Sequence, residues 1–358
     1  MPTPPNSPAL VDAAVPRRRF RIRAAWLMAV LAFLPAIVTL ILIRLHAVNL
    51  PFWDDWERVP YIRMWEEGAL TFKALYAPHI DHRMIFPRLI MLLCNTLSGG
   101  DLRVEMAVNF LIVLLTAAGL VKLLRLTLKP GTPLPWGLIF TGNLILFSPM
   151  QYENWLWAVQ TAFFLPMACL VWALVVALSP WRWWIRLLVS LVLALIGTHS
   201  FGHGFVIWPA VLGVVLLTRD FGGPSGGRWW FAGLWTAAAT LVILCYTQLE
   251  FTNVSHPSHS YGQHPGQPSP STVHSAAVLN QPARFAQYVC VLAGSMFSRF
   301  QLTDPIRIAT ALGAVLILLL VLFSTWWLWR RRHGHPGDVT DRSLPWLALG
   351  WASLTDPA

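Results

Sequence analysis

Long apolar stretches alternate with short polar ones along this chain, and the first apolar stretch occupies residues 24–43. A stretch of about 20 apolar residues is long enough to cross the hydrocarbon core of a bilayer as a helix. Shorter apolar stretches at 84–98 and 284–298 contain arginine and are typical of interfacial or re-entrant helices. The pattern predicts an all-α, polytopic helical membrane protein with about eight transmembrane helices. These helices are expected at 24–43, 104–124, 134–148, 157–178, 185–199, 204–218, 229–249 and 306–329.

Polar segments divide the chain around a helical membrane domain, residues 24–329. Residues 1–23 are rich in proline and arginine, which predicts a disordered, basic cytoplasmic N-terminus. Two long connections, 44–103 and 250–305, are expected on the outer side, and the first should carry interfacial helices. The segment 330–358 ends in about eleven apolar residues, too few to cross a bilayer, and is interpreted as a cytoplasmic tail or as a truncated span.

Composition supports a membrane protein and argues against several other classes. Hydrophobic residues make up 56% of the chain, charged residues make up 12%, and the mean hydropathy is +0.56. Soluble globular proteins contain about 25% charged residues. The formal net charge of +10 is explained by basic inner loops, so no nucleic-acid partner is predicted. The four cysteines are scattered and predict neither a disulfide framework nor a zinc site.

The distribution of charge orients the predicted helices. If the N-terminus is inside, the inner segments hold 16 of the 26 Lys and Arg residues but only five of the 16 Asp and Glu residues. Positive charge collects on the cytoplasmic side of membrane proteins. We therefore expect an integral protein of the cytoplasmic (inner) membrane of a bacterium, with its active face toward the periplasm or the exterior.

Two adjacent carboxylates, Asp54 and Asp55, follow the first predicted helix in the sequence FWDDWERVPY. An Asp at the bilayer centre costs about 2.5–3.5 kcal/mol, so the pair must lie at the interface or in a polar cavity. One carboxylate is suited to act as a general base or a metal ligand while the other orients it. The alternative is a solvated loop start within an aromatic interfacial belt that includes Trp56. Because ionisable groups near a membrane are functional candidates, we predict that both aspartates are catalytic and that Trp56 contacts substrate.

The sequence HIDHRMIFPR, residues 79–88, offers two further kinds of chemistry. Imidazole and carboxylate groups suit a divalent cation, although their spacing here matches no standard metal motif. Arg83 and Arg88 suit a phosphate group, which guanidinium binds in a fork geometry. The alternative is a polar segment before an interfacial helix, with both arginines reaching the interface. The predicted cation ligands are Asp55, Asp81, His79 and His82.

Glu153, in the sequence QYENWLWAVQ, and His199, in THSFGHG, lie in short links between predicted helices. Both links fall on the outer side in the predicted orientation, together with residues 52–61 and 79–88. Polar residues from separate loops thus share one face of the membrane, and we expect Glu153 and His199 to contact substrate. The alternative for each link is a tight hairpin flanked by interfacial aromatic residues.

This arrangement resembles the GT-C superfamily of integral-membrane glycosyltransferases, which use polyprenyl-phosphate sugars as donors. The resemblance covers roughly residues 20–330 and is carried by the first helix, the acidic pair that opens the outer loop, and the motifs HIDHR, QYENW and SFGHG. It implies that Asp54 or Asp55 serves as a base toward the acceptor hydroxyl or binds a metal. It also implies that Arg83 or Arg88 holds the lipid phosphate. Relatives often carry more helices or a soluble outer domain, and this chain departs from them in length.

The predicted function is transfer of a sugar from a polyprenyl-phosphate donor to a glycan, lipid or protein acceptor at the outer face of the membrane. Such a transfer needs a base beside the acceptor and positive charge beside the leaving phosphate. Membrane lipid is the other expected partner. Two alternatives stay open: a transporter or flippase for lipid-linked or anionic substrates, and a non-catalytic membrane assembly subunit. Transporters usually place ionisable residues near the bilayer midplane and contain internal repeats, neither of which we find in this sequence.

Overall fold

The computed structural model describes residues 15–79, 82–218, 221, 226–248, 282–294, 305–333 and 339–352. Within this part of the chain the fold is helical apart from one short antiparallel ladder, in which His79 pairs with His82. The ladder consists of β1 (Pro78–His79) and β2 (His82–Arg83). The helices are α1 (Val15–His46), α2 (Arg58–Glu66), α3 (Phe72–Tyr76), α4 (Ile85–Ser98), α5 (Leu102–Thr127), α6 (Trp136–Leu146), α7 (Tyr152–Leu156), α8 (Thr161–Ala177), α9 (Trp183–Thr198), α10 (Ile207–Leu217), α11 (Gly227–Gln248), α12 (Pro282–Gly294), α13 (Pro305–His333) and α14 (Val339–Ala352).

The apolar helices suit a membrane environment. Helices occupy all eight stretches that the hydrophobic pattern predicted as spans. The helices α4, α9 and α10 are apolar but shorter than a full span. Large apolar side chains are exposed along α1, α11 and α13, where hydrocarbon rather than water would surround them. Five described helices are long and apolar enough to cross a membrane, judged by length and composition: Trp26–His46, Leu102–Thr127, Ala158–Ala177, Gly227–Tyr246 and Ile306–His333.

Capping residues set the ends of the helices in the connection between α1 and α5. The Thr71 hydroxyl accepts from the Ala74 N–H at the start of α3, and the Asp101 carboxylate accepts from the Arg103 N–H at the start of α5. These contacts satisfy backbone donors that a helix leaves open in its first turn. The helix α4 ends at Gly99, which adopts a φ of 65° that glycine accepts without strain. The chain can therefore reverse between α4 and α5 within a few residues.

Helices extend into two segments that lie outside the predicted spans. Helix α1 begins at Val15, so the basic sequence at 17–23 belongs to a helix rather than to a disordered N-terminus. Arginine is a good helix former, which allows α1 to continue beyond its apolar part. The predicted connection 44–103 contains the short helices α2, α3 and α4. Most of the predicted connection 250–305 lies outside the described residues, apart from α12 and the first residue of α13.

Three clusters of buried side chains hold the described helices together, and two of them are large. One cluster joins α8, α9, α10 and α11 and includes Leu170, Val211 and Trp235. The other joins α1, α5 and the residues around α7, and it includes Phe110 and Trp155. Between helices in a bilayer, close packing and hydrogen bonds replace the hydrophobic effect as the source of stability. The second cluster matters most for function because it fixes the end of α1 that leads into the polar turn described next.

Candidate functional site

A single turn of 3-10 helix, Trp53–Glu57, contains both predicted carboxylates and places them in different environments. Asp55 is buried, with 2% of its surface exposed, whereas the side chain of Asp54 is 44% exposed. The N–H of Phe52 donates to Asp55 Oδ2 (3.2 Å), and the N–H of Asp55 donates to the Phe52 carbonyl oxygen (3.0 Å). Trp53 adopts a φ of +45°, a left-handed conformation that is uncommon for residues other than glycine. The turn therefore buries one aspartate and leaves the other at the surface.

Arg58 joins Asp55 to Glu105 of α5 in a buried ion triad. Its Nη2 lies 3.0 Å from Asp55 Oδ1, and its Nη1 lies 2.6 Å from Glu105 Oε1. The Nη2 group also donates to Glu105 Oε2 (3.2 Å), and Nε donates to the Asp55 carbonyl oxygen (3.0 Å). Burial raises the pKa of Asp55, and the charge of Arg58 opposes that shift. The triad ties the turn after α1 to the first turn of α5. The structural role of Asp55 is therefore to hold the site in place.

His79 on β1 stands between two carboxylates of the turn. Its Nδ1 is 2.6 Å from Glu57 Oε2, and its Nε2 is 3.7 Å from Asp54 Oδ2. When Nδ1 carries the proton and donates it to Glu57, Nε2 is left as a proton acceptor on the side of Asp54. This carboxylate–imidazole pair has the arrangement of a general base with an orienting group.

These side chains surround a cavity of about 50 Å³, which has room for a few water molecules or for the reacting end of a larger ligand. Its walls come from the turn and α2, from β1, from α4, from the first turn of α5, and from the residues that lead into α8. The cavity is polar on one side and lined by Met84, Pro87 and Met91 on another. Its polar lining residues are Asp54, Asp55, Glu57, Arg58, Tyr61, His79, Arg88, Glu105 and Thr161.

Arg88 and Tyr61 form one buried wall of this cavity. The Arg88 guanidinium lies 4.4 Å from the centroid of the Tyr61 ring, and Nη1 donates to the carbonyl oxygens of Leu75 (2.7 Å) and Ala77 (2.6 Å). Burial lowers the pKa of Arg88. Among the described residues, no carboxylate forms an ion pair with Arg88, and the buried Tyr61 hydroxyl has no hydrogen-bond partner. This wall thus offers a cation and a hydroxyl group to whatever enters.

Arg83 lies in a neighbouring aromatic cluster and does not line the cavity. Its guanidinium donates to the Tyr76 carbonyl oxygen (3.2 Å) and lies 4.8 Å from the Tyr76 ring centroid and 5.7 Å from that of Tyr246. The ring of His199 is 5.9 Å from Tyr76 and 6.0 Å from Tyr246. Arg83 and His199 therefore belong to the same aromatic cluster, which is separate from the contact between Asp54 and His79.

The polar segments that the sequence places on one face contact one another at one end of the helices. The N–H of Phe86 donates to the carbonyl oxygen of His199 (3.4 Å), and the ring of His82 lies 3.8 Å from that of Phe201. A Cβ atom on Gly202 would lie 2.9 Å from His82 Nδ1, so a glycine is needed for this close approach. The residues His82 and Phe86 thus join the segment around β2 to the sequence THSFGHG.

Two predicted substrate contacts, Glu153 and Trp56, do not line the cavity. Glu153 is exposed and accepts a hydrogen bond from the Tyr152 hydroxyl (3.2 Å), and Trp56 is also exposed. The sequence QYENWLWAVQ contributes through its end instead, because Ala158 and Val159 form part of the wall.

The predicted divalent-cation site is not assembled by the described residues. No group of three His, Cys, Asp or Glu side chains in the described ranges is placed to hold a metal ion. Asp55 is bound by Arg58, and the rings of His79 and His82 have separate partners. The fourth predicted ligand, Asp81, lies outside the described residues.

Sequence reasoning missed five polar residues of the cavity: Glu57, Arg58, Tyr61, Glu105 and Thr161. Three of them lie in the sequence FWDDWERVPY, where the prediction rested on the adjacent aspartates. Glu105 carries a usable signal, since an ionisable residue inside an apolar helix is a functional candidate by default. No local sequence pattern predicts that Glu105 pairs with Arg58.

Comparison of the chain with protein-family models, with curated proteins and with solved structures finds no match. The arrangement of side chains around the cavity is therefore the basis for a functional assignment. That arrangement combines a carboxylate–imidazole pair with a buried guanidinium in the lining of one small cavity.

Proposed function

We propose that this protein is a GT-C-type glycosyltransferase that moves a sugar from a polyprenyl-phosphate donor to an acceptor hydroxyl. The observation that carries the proposal is His79, held between Glu57 and Asp54 at a cavity that Arg88 also lines. A base on one side and a cation on the other are the two groups that displacement of a sugar from phosphate requires. The proposal includes about eight membrane spans, which would bring the polar segments to the outer face of a bacterial cytoplasmic membrane.

The proposed reaction begins at Nε2 of His79. This nitrogen takes the proton of the acceptor hydroxyl while Nδ1–H donates to Glu57. The acceptor oxygen forms a bond to the anomeric carbon, and the bond from that carbon to the phosphate oxygen breaks, leaving its electron pair on the phosphate. The imidazolium that results is stabilised by the carboxylates of Glu57 and Asp54. Asp55 acts as a positioning residue, because its bonds to Phe52 fix the turn that presents Asp54.

The phosphate side of the reaction is assigned to Arg88. Its charge is not neutralised by a carboxylate of the described residues, so it can balance the charge that develops on the leaving phosphate. Arg83 and His199 lie outside the cavity. Arg83 donates to the Tyr76 carbonyl oxygen and thereby holds the chain just before the strand that carries His79. The lipid tail of the donor and the released polyprenyl phosphate would stay in the bilayer beside the apolar helices.

The test is sugar transfer from a panel of polyprenyl-phosphate sugars by protein in native membranes. Loss of a general base typically lowers the rate about 10²–10⁴-fold, so His79→Asn should fall by that factor and Asp54→Asn by less. His46→Asn is the matched control, because His46 is exposed at the end of α1 and does not line the cavity. Wild-type transfer by His79→Asn, Asp54→Asn and the double variant, at equal expression, would refute the proposal.

A further inference from the structure

Three aromatic side chains, Phe52, Trp53 and Trp157, form a cluster beside the turn that carries Asp54. The ring centroids of Phe52 lie 5.7 Å from those of both Trp53 and Trp157, and the two indoles are 6.3 Å apart. Phe52 and Trp53 are stacked, with 14° between their planes, and Trp157 meets both at an edge. Trp53 is 74% exposed and Phe52 is also exposed, so the cluster presents a ring face to the outside. We call these three residues the aromatic platform.

The aromatic platform is held rigidly by the same contacts that build the site. The indole N–H of Trp157 donates to the Phe52 carbonyl oxygen (3.0 Å), which joins the segment before α8 to the turn after α1. Asp55 binds the N–H of Phe52, and Arg58 and Glu105 in turn hold Asp55. A left-handed backbone at a bulky residue costs about 1–3 kcal/mol and persists where surrounding contacts enforce it. Trp53 is the one described non-glycine residue with a positive φ, and that conformation keeps its indole outside the turn.

The aromatic platform is continuous with the cavity along the chain. Trp53 is followed by Asp54, which lines the cavity and lies 3.7 Å from His79. Trp157 is followed by Ala158, another lining residue. The aromatic platform therefore adjoins the wall of the cavity at two points of the backbone.

We propose that the aromatic platform is a carbohydrate-binding subsite that holds one pyranose ring of the acceptor or donor at the mouth of the cavity. A pyranose has an apolar face of C–H groups, which packs on an indole, and an edge of hydroxyl groups, which donate to carboxylates. Trp53 supplies the ring face, and Asp54 and Glu57 of the same turn, whose side chains are 44% and 34% exposed, supply acceptors. The proposal rests on the proposed function for the reaction in which that sugar takes part.

A membrane surface is the other occupant that exposed aromatic rings could have, and two observations favour the sugar. Interfacial tryptophans direct their indole N–H to the wet side of the membrane, whereas the N–H of Trp157 is bound within the protein. The turn that carries Trp53 also carries the carboxylates of Asp54 and Glu57, which would repel an anionic lipid surface while accepting hydrogen bonds from neutral sugars.

The experiment measures saccharide binding to the full chain in nanodiscs by saturation-transfer difference NMR. The probes are neutral disaccharides of glucose, mannose, galactose and N-acetylglucosamine. Trp53→Gly removes the ring and keeps the left-handed turn, because glycine accepts positive φ. Loss of one stacking ring should weaken binding about tenfold, and Trp53→Phe should restore part of it. Trp229→Ala is the matched control: this tryptophan of α11 is 69% exposed and lies away from the cavity, so its loss should leave binding unchanged.

The outcomes separate this proposal from the proposed function. Absence of binding for the whole panel, or binding that Trp53→Gly leaves unchanged, would overturn the carbohydrate-binding subsite. Binding that depends on Trp53, without sugar transfer by the wild type, would support the subsite and refute the glycosyltransferase.

Discussion

Arg58 lies 2.6 Å from the carboxylate of Glu105, a residue 47 positions further along the chain. Through this contact the turn that carries Asp54 and Asp55 is bound to a membrane-spanning helix. Buried ion pairs add little net stability when complete, but removal of one partner leaves a buried charge without compensation. The triad is therefore a sensitive point for testing how the site is held.

Replacement of Arg58 by methionine should lower the free energy of unfolding by about 3–5 kcal/mol at neutral pH, because two buried carboxylates lose their shared cation. The loss should shrink at acidic pH, where both carboxylates bind protons. Denaturant unfolding in detergent micelles gives the measurement. Arg63→Met is the control on the same helix: Arg63 pairs with Glu67 at the surface, and such pairs contribute at most about 1 kcal/mol. Equal effects of the two substitutions would contradict a structural role for the triad.

Tyr61→Phe should stabilise the substrate-free protein, since it removes a buried hydroxyl that has no partner among the described residues. An unsatisfied buried polar group costs about 1–3 kcal/mol, which sets the upper limit of the gain. Tyr76→Phe is the matched comparison and should destabilise, because the Tyr76 hydroxyl donates to the carbonyl oxygen of Cys245 (3.2 Å). Thermal unfolding of both variants in the same detergent checks the opposite signs. Destabilisation by Tyr61→Phe would mean that the hydroxyl has a partner in the folded protein.

The raised pKa of Asp55 predicts how stability depends on pH. Because burial raises this pKa above its ordinary value of 3.8, the folded state binds the proton more tightly than the unfolded state. The contribution of Asp55 is therefore fully present below pH 3.8 and is lost as the pH rises through the raised value. The difference in unfolding free energy between wild type and Asp55→Asn, followed from pH 3.5 upward, should decrease over that window.

Asp101→Asn provides the contrast for this pH series. Hydrogen bonds from Arg103 lower the pKa of Asp101, so its contribution is present above pH 3.8 and is lost as the pH falls. The two difference curves should therefore slope in opposite directions. Parallel slopes would show that Asp55 is not desolvated in the folded protein.

Reporter fusions test the side of the membrane on which the site lies. Alkaline phosphatase fused after Tyr61 should be active, and the same enzyme fused after Lys129 should be inactive, because the basic segments are expected inside. A cytoplasmic reporter fused at the same two positions should give the reverse pattern. Phosphatase activity at Lys129 without activity at Tyr61 would place the cavity on the cytoplasmic side and refute transfer at the outer face.

Much of the helical architecture could be predicted from the sequence. An apolar stretch of about 20 residues has one favourable arrangement in a bilayer, a helix, because only internal hydrogen bonds can satisfy its backbone. Helices accordingly occupy every predicted span, and α4 occupies the predicted short stretch at 84–98. The start of α1 was misplaced, because a basic sequence gives no apolar signal even where it continues a helix.

The sequence by itself determined which segments are helical and which loops carry the charged and aromatic residues of the site. Tertiary structure alone decided the role of each residue within those loops. Adjacent Asp54 and Asp55 look equivalent in sequence, but the left-handed backbone of Trp53 and the distant partner Glu105 bury one and expose the other. Similarly, Arg83 and Arg88 carry the same charge, yet only Arg88 lines the cavity. Backbone conformation at one residue and contacts between distant helices depend on the folded chain, so no local pattern contains them.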